Sequence, residues 1–405
     1  MKKYVYGNNP ISIIEKSPLI KLNGEINILI NSIFIKDTSI SIWKNMSWNY
    51  FIEGCANMND ICIAVVICTY HRKEFVEANL QQLLGSDFFN QGDKKYFGHL
   101  YIYVVDNGMD FEPVNSSFLH IVQNPKNTGG SGGFQRGLEE ARNSDIEFTH
   151  VVFMDDDVRI EIESFYILYD YLLQVTASDW DRPVAGRMLC MDRPNIQYTA
   201  AEIWNGGNIQ HVEHMRDLSV SPYEAGKVER NSDADYGGFW FCCFPMSFAK
   251  SNDILPFFLH CDDVEYGLRC GRPPVIIEGV HVWHETYDKR MTPLMLYYDT
   301  RNPLFVNQIH GLGAAPACIF SEWKKKITKY HVMQDWTSEY CVILAMNDFL
   351  KGMDWLKRID SAKYHKRLQK VRGNRYKNAI CWRIVAGRYR RYGAWNGSNK
   401  VENRH

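Results

Sequence analysis

The sequence predicts an α/β fold built on a largely parallel sheet, and three observations carry the expectation. Short apolar runs, each closing on polar residues, occur at IAVVICTY (63–70), LYIYVVDN (100–107), LHIVQN (119–124) and FTHVVFMDDD (148–157), the signature of strands buried on both faces. Between the first two runs Phe75, Val76, Leu80, Leu83 and Leu84 fall on one face of a helix. Four glycines among residues 129–133 then open a second helical stretch, 134–142. Strand alternating with helix is the pattern of parallel βαβ units.

The elements divide into three regions. Residues 1–58 carry short β-type runs at 26–35 and 39–43, broken by Asn, Gly and Asp, and predict a small β-rich domain. Residues 59–322 hold the α/β pattern. Residues 323–405 are basic and predict helices: from Lys324 to His405 there are 20 Lys or Arg against 6 Asp or Glu, so the net charge of -1 for 405 residues hides an acidic body and a basic tail. A near-neutral whole gives no reason to expect nucleic acid as partner, and the acidic body opposes it. The tail, interleaved with Tyr, Trp, Leu and Ile, suits anionic lipid headgroups, a solvated helix face, or a contact between copies in a homo-oligomer.

Eleven Cys without C-x-x-C pairs, several inside apolar runs (Cys62, Cys68, Cys242, Cys243), read as small buried hydrophobes and suit a reducing cytoplasm. No stretch approaches the ~18 apolar residues of a membrane span, and the first residues lack the apolar core of a signal peptide.

In a parallel sheet, ligands sit beyond the carboxyl ends of the strands, where Thr69-Tyr70-His71-Arg72, Asp106-Asn107 and Asp155-Asp156-Asp157 fall. Three adjacent carboxylates repel one another and are tolerated if solvated or neutralised by a cation. A hydrophobic strand leading straight into them favours the cation, and hard oxygen ligands favour Mg²⁺ or Mn²⁺. The run Asn127-Thr128-Gly129-Gly130-Ser131-Gly132-Gly133-Phe134 permits close backbone approach to a ligand, or is a flexible turn. It lacks the Lys-Ser/Thr of a P-loop and the third Gly of a dinucleotide fingerprint. A second acidic cluster, Asp262-Asp263-Val264-Glu265, fits either a proton acceptor free of metal or a helix N-terminus favoured by the dipole. His284, in His281-Val282-Trp283-His284-Glu285, offers an imidazole nitrogen at another strand end, and no H-E-x-x-H zinc motif is formed. Aromatics beside glycines in Tyr236-Gly237-Gly238-Phe239-Trp240-Phe241 suit a sugar face or simply core.

Taken together, the strand followed by TYHR, VVDNG, the NTGGSGGF run, FMDDDV and the late CDDVEYGLR resemble family 2 glycosyltransferases. Within these they look like bacterial galactofuranosyltransferases that polymerise the mycobacterial cell-wall galactan, over roughly residues 60–310. The resemblance implies a GT-A domain, a Rossmann-like fold for nucleotide-diphospho-sugars, with a β-rich N-terminal domain and a helical C-terminal region. It implies that Arg72 and Asp106, with Thr69, Asn127, Gly129, Gly130, Gly132 and Asp156, hold a UDP-sugar, and that Asp155, Asp157 and His284 bind Mn²⁺ or Mg²⁺. Asp263 would be the base of an inverting transfer to a glycan acceptor, polyprenyl-linked and met at the inner membrane face. Trp240, Asp262, Glu265, Asp299 and Arg301 would meet that acceptor. Two positions depart from the family: Phe239-Trp240 replaces a Trp pair, and Asp299 stands where a His precedes Thr300-Arg301-Asn302. Two other readings are transfer of another sugar, such as rhamnose from dTDP-rhamnose, and a carbohydrate-binding protein without turnover.

Overall fold

The computed structural model describes residues 61–402 apart from 92–93, 231–232, 287–290 and 313, with side chains up to residue 392, together with four short N-terminal strands. Those strands pair as two hairpins, Lys3–Tyr6 with Asn9–Ser12 and Lys21–Leu22 with Glu25–Ile26. Of the β-type runs expected at 26–35 and 39–43, all but Ile26 lies outside the described residues.

The chain from residue 58 onward forms one compact unit. Its sheet contains β1 (Ile63–Thr69), β2 (Leu100–Asp106), β3 (Leu119–Gln123), β4 (His150–Asp155), β5 (Val184–Cys190), β6 (Cys242–Pro245) and β7 (Val275–His284). The order across the sheet is β7-β5-β6-β4-β1-β2-β3, with short edge strands completing twelve. The four strands expected from the apolar runs are present and pair in parallel: β1 with β2, β1 with β4, and β2 with β3. Along β1, Ile63, Val65 and Ile67 face one hydrophobic layer and Ala64 and Val66 the other, so both faces are buried and the strand reads as continuously apolar. The sheet is mixed rather than wholly parallel. Strand β6 runs antiparallel between β4 and β5, and β5 then pairs in parallel with β7.

Helix α1 (Lys73–Leu84) and α3 (Glu163–Gln174) cover one face of the sheet, and α2 (Gly129–Arg142) the other. On α1 the buried stripe is Val76, Asn79, Leu80 and Leu83, while Phe75 and Leu84 are exposed. Each stands about 100° off that stripe, so the contact face is narrower than the hydrophobic pattern suggested.

The expected glycine loop is itself helix. Gly129 to Gly133 form the first turns of α2, because they must lie almost in contact with their surroundings. A Cβ on Gly133 would stand 1.9 Å from Cys68 Sγ, and Gly129 adopts φ +74° with the Phe258 carbonyl oxygen 2.1 Å from where its Cβ would be. Only glycine fits either position.

Beyond α4 (Asp262–Cys270) the helical part begins earlier than the expected residue 323, with α5 (Pro293–His310) and α6 (Pro316–Val332); it continues, as expected, through α7 (Trp336–Phe349), α8 (Met353–Arg358), α9 (Ser361–Leu368) and α10 (Arg375–Glu402). They are not a detached tail. Trp323, Val342, Phe349, Leu356, Val385 and Tyr389 share one hydrophobic cluster with Phe257, Val264, Leu296 and Phe305. The nine described cysteines other than Cys62 are free, and no described helix is long and apolar enough to cross a membrane.

Candidate active site

The sheet reverses its winding at β1: β2 and β3 lie to one side, β4 to the other. Ligands gather at such a switch point, off the carboxyl ends of the strands. Here register brings Thr69 opposite Asp106, and Cys68 opposite Asp155. Arg72, just past β1, crosses the gap to Asp156 at 2.8 Å and Asp157 at 3.0 Å.

Asp155, Asp157 and His284 each offer a ligand atom, all within 4.8 Å of one another. His284 Nε2 is 3.1 Å from Asp157 Oδ1 and 3.9 Å from Asp155 Oδ2. Adjacent ligands of an octahedral ion at ~2.1 Å stand about 3 Å apart, so these atoms need little rearrangement to share one. The His284 Nδ1 lies 2.7 Å from the Glu285 carbonyl, the second contact that directs Nε2 toward the carboxylates. Two hard carboxylates and one imidazole suit Mn²⁺ or Mg²⁺. Burial, followed by repulsion from Asp157 and Asp156, raises the Asp155 pKa although His284 opposes the rise. Burial works against charge on His284 too, but Asp157 and Asp155 outweigh it and raise its pKa. A cation would relieve the repulsion on Asp155 and would take the place of the proton that the carboxylates otherwise hold on His284.

A cavity of about 560 Å³ opens beside this cluster. Asp155 lines it, as do Gly130, Trp240, Asp262, Asp263 and Asp299, so residues from the end of β4, the start of α2, α4 and α5 converge on one space. Asp262 and Asp263 open α4, where the helix dipole favours carboxylates. Even so, burial and the neighbouring Asp262 push the Asp263 pKa up to about 8. Such a carboxylate holds a proton avidly, which is the property required of a general base.

The turn that presents this pair is strained. Phe258, His260 and Cys261 all have left-handed backbone, φ 77°, 62° and 68°, a conformation costing roughly 1–2 kcal/mol for each non-glycine residue. What holds it is α5: the Arg301 guanidinium donates to the Phe257 carbonyl at 2.7 Å, and the Asn302 amide donates to the carbonyls of Leu259 at 2.6 Å and His260 at 2.9 Å. Asp299 also hydrogen-bonds His260 Nδ1.

Other sequence-derived candidates are placed differently. Arg301 is buried in that clamp and does not line the cavity, and Glu265 is buried in ion pairs with Arg269 at 2.7 Å and His310 at 3.4 Å. Neither side chain is turned toward a ligand in this cavity. Asp106 is buried, accepting from the Gly108 and Phe111 backbone amides at 2.8 Å each. Asn127 accepts from Gly129 N at 2.7 Å, and Thr69 is buried at the end of β1. Of the glycines, Gly130 alone faces open space, the nearest atom to its would-be Cβ being Asp262 Oδ2 at 3.9 Å; a Cβ on Gly132 would meet Thr128 at 2.5 Å. Trp240 lines the cavity, and its Nε1 donates to the Gly186 carbonyl at 2.8 Å.

Sequence reading passed over Glu202, His211, Tyr198 and His260, all of which line the cavity. His211 Nδ1 is 2.7 Å from Glu202 Oε2, and its Nε2 is 3.1 Å from the Tyr198 hydroxyl. The one signal for Glu202 is an acid alone between Ala201 and Ile203 in an apolar stretch. His260 carries none beyond its nearness to Asp262.

Residues 64–188 match the family described as Glycosyl transferase family 2. The chain is 31% identical over 249 residues to galactofuranosyltransferase GlfT2 of Mycolicibacterium smegmatis, which covers 57% of this chain and 38% of that protein. It is 29% identical over 261 residues to GlfT2 of Mycobacterium tuberculosis, 58% of this chain and 39% of that protein. The chain therefore spans well under half the length of these relatives. Among solved structures it is similar to S. aureus TarS 1-349, at 14% identity and TM-score 0.44, over 82% of this chain and 92% of that one.

Proposed function

We propose that this chain, which carries a family 2 glycosyltransferase domain over residues 64–188, is an inverting transferase that moves galactofuranose from UDP-galactofuranose to a hydroxyl of a glycan acceptor carried on a polyprenyl lipid. The observation that carries the reading is the convergence on one cavity of Asp155, from a group with metal-ligand spacing, and of Asp263, a carboxylate with raised pKa outside that group. The donor sugar rests on the likeness to two proteins named galactofuranosyltransferases.

In this reading Asp155, Asp157 and His284 would hold Mn²⁺ or Mg²⁺, and a bound divalent ion would neutralise charge on the departing diphosphate. Arg72 stands over the same carboxylates with part of its side chain exposed, and orients Asp157. The approaching hydroxyl meets the Asp263 carboxylate, which takes its proton as the oxygen attacks the anomeric carbon from the side opposite the nucleotide. That carbon inverts, the bond to the UDP oxygen breaks, and no covalent enzyme intermediate forms. Tyr236, Phe239 and Trp240 form an apolar wall suited to a sugar ring.

The test is incubation with a panel of sugar nucleotides and Mn²⁺, with and without a galactan-type acceptor. Acceptor-dependent consumption of UDP-galactofuranose supports the assignment; consumption of dTDP-rhamnose in its place moves the donor, and release of no nucleotide from any donor removes the activity.

A further inference from the structure

We infer that His260, anchored to Asp299 and carrying a proton on both ring nitrogens, binds the acceptor: its Nε2 donates to the hydroxyl next to the one that Asp263 deprotonates, so the acceptor sugar must carry two free neighbouring hydroxyls. The inference rests on the reading of Asp263 as the base. Among the described residues that line the cavity there is no Lys or Arg, while Asp155, Glu202, Asp262, Asp263 and Asp299 supply five carboxylates. Ionised carboxylates accept hydrogen bonds and donate none. The imidazoles of the lining are His211 and His260. Both nitrogens of His211 are engaged, Nδ1 with Glu202 at 2.7 Å and Nε2 with the Tyr198 hydroxyl at 3.1 Å. His260 is engaged at Nδ1 alone, by Asp299, and its Nε2 has no hydrogen-bond partner among the described residues.

The Asp299 carboxylate accepts, so Nδ1 carries a hydrogen; on a neutral ring Nε2 would then be a lone pair, one more acceptor among many. The charge on the ring therefore decides what it offers. Burial works against a proton, but Asp299, through its hydrogen bond and its charge, and then Asp262 and Asp263 outweigh burial and raise the His260 pKa. Across the packed helices, Lys326 and Tyr330 of α6 also feel the Asp299 charge, and the balance on His260 remains upward. Position is fixed along with charge. The Asn302 amide donates to the His260 carbonyl at 2.9 Å, and α4 begins two residues later, so one left-handed turn carries both the ring and the base. Neighbouring hydroxyls present, side by side, a proton to give and a lone pair to fill, and Asp263 with the Nε2 hydrogen is the matching pair.

Calorimetry of a short galactofuranose oligosaccharide, with UDP and Mn²⁺ present, tests this without turnover. His260→Asn puts an amide where Nδ1 stood, and asparagine tolerates left-handed backbone, so the bond to Asp299 and the turn are kept. It should weaken acceptor binding about tenfold or more, with UDP affinity and melting midpoint unchanged. His260→Gln extends an amide to the place of Nε2 and should recover most of that loss. A residue that merely propped the turn would give the reverse order. An oligosaccharide lacking the hydroxyl beside the accepting one should bind the unaltered protein about tenfold more weakly, and should lose nothing further in His260→Asn, because the two changes remove the same contact. In nitrogen-15 histidine spectra recorded without substrate, Asp299→Asn should turn the His260 ring neutral at lower pH than in the unaltered protein. The reverse order of the two His260 variants, additive losses, an unmoved titration in Asp299→Asn, or no acceptor binding would each overturn the inference. Acceptor binding that behaves as expected while no sugar is transferred would overturn the proposed transfer and leave the contact standing.

Discussion

Asp263 is the residue on which chemistry and stability pull in opposite directions. An aspartate in the unfolded chain releases its proton near 3.8, and in the folded protein near 8. Below 3.8 both states hold the proton. Between the two values the folded state alone keeps it, so this group's contribution to stability falls as pH rises and is fully lost above about 8. Asp263→Asn, which cannot ionise, should therefore raise the melting midpoint relative to the unaltered protein at pH 9 and change it little at pH 4. The same substitution should lower turnover by about 10² to 10⁴ while leaving nucleotide affinity near its original value, as read by calorimetry. In the unaltered protein kcat/KM should climb with pH toward 8, because only the ionised carboxylate accepts a proton. A flat acid limb would remove Asp263 from the role. At the other carboxylate cluster, His284→Ala should weaken Mn²⁺ binding by at least about tenfold, measured by the paramagnetic resonance of free Mn²⁺.

At the scale of elements, α2 and α5 act through close contact rather than through charge. Gly133→Ala places a methyl 1.9 Å from Cys68 Sγ and should force α2 off β1, costing about 1–3 kcal/mol. Gly130→Ala meets nothing nearer than 3.9 Å and should leave stability almost unaltered while narrowing the cavity mouth. A urea titration of the two variants distinguishes packing glycine from cavity glycine; equal losses would contradict the geometry. Helix α5 holds the strained turn 258–261 through Arg301 and Asn302, and Asn302→Ala leaves the carbonyls of Leu259 and His260 without that amide. It should lower kcat more than it raises KM for the donor, because the turn aims Asp262 and Asp263 and the donor-side carboxylates lie on other strands. A change in donor KM alone would place Asn302 in donor binding.

For the whole molecule, the change of charge near residue 323 is not a boundary of packing. Deletion from Lys324 onward would remove Val342, Ile343, Met346, Phe349, Leu356, Val385 and Tyr389 from a cluster that also contains Phe257, Leu296 and Phe305. At about 1.5–3 kcal/mol per buried side chain, that loss is as large as the 5–15 kcal/mol by which an ordinary domain is stable. The truncated chain should not accumulate as a folded species, and limited proteolysis of the full chain should spare α6 and α7. A stable, cooperative melt from residues 58–323 would refute this. The basic helices are therefore part of the body that supports the walls of the cavity.

What the sequence determined by itself is whatever one segment encodes locally: four parallel strands from apolar runs buried on both faces, the acidic triplet at the end of β4, and the carboxylates that open α4. What the tertiary structure decided depends on pairing across long separations. Strand β6 enters antiparallel because it lies between β4 and β5, and its sequence CCFP is equally apolar in either direction. The glycines at 129–133 look from their spacing like a ligand loop, and contact with Phe258, Thr128 and Cys68 makes Gly129, Gly132 and Gly133 packing residues. Arg301 and Glu265 look like ligand-binding side chains until Phe257 and Arg269 are seen to engage them, and His260 acquires its place from Asp299, 39 residues away. A residue's type sets which interactions it can make; only the fold determines which partner reaches it first.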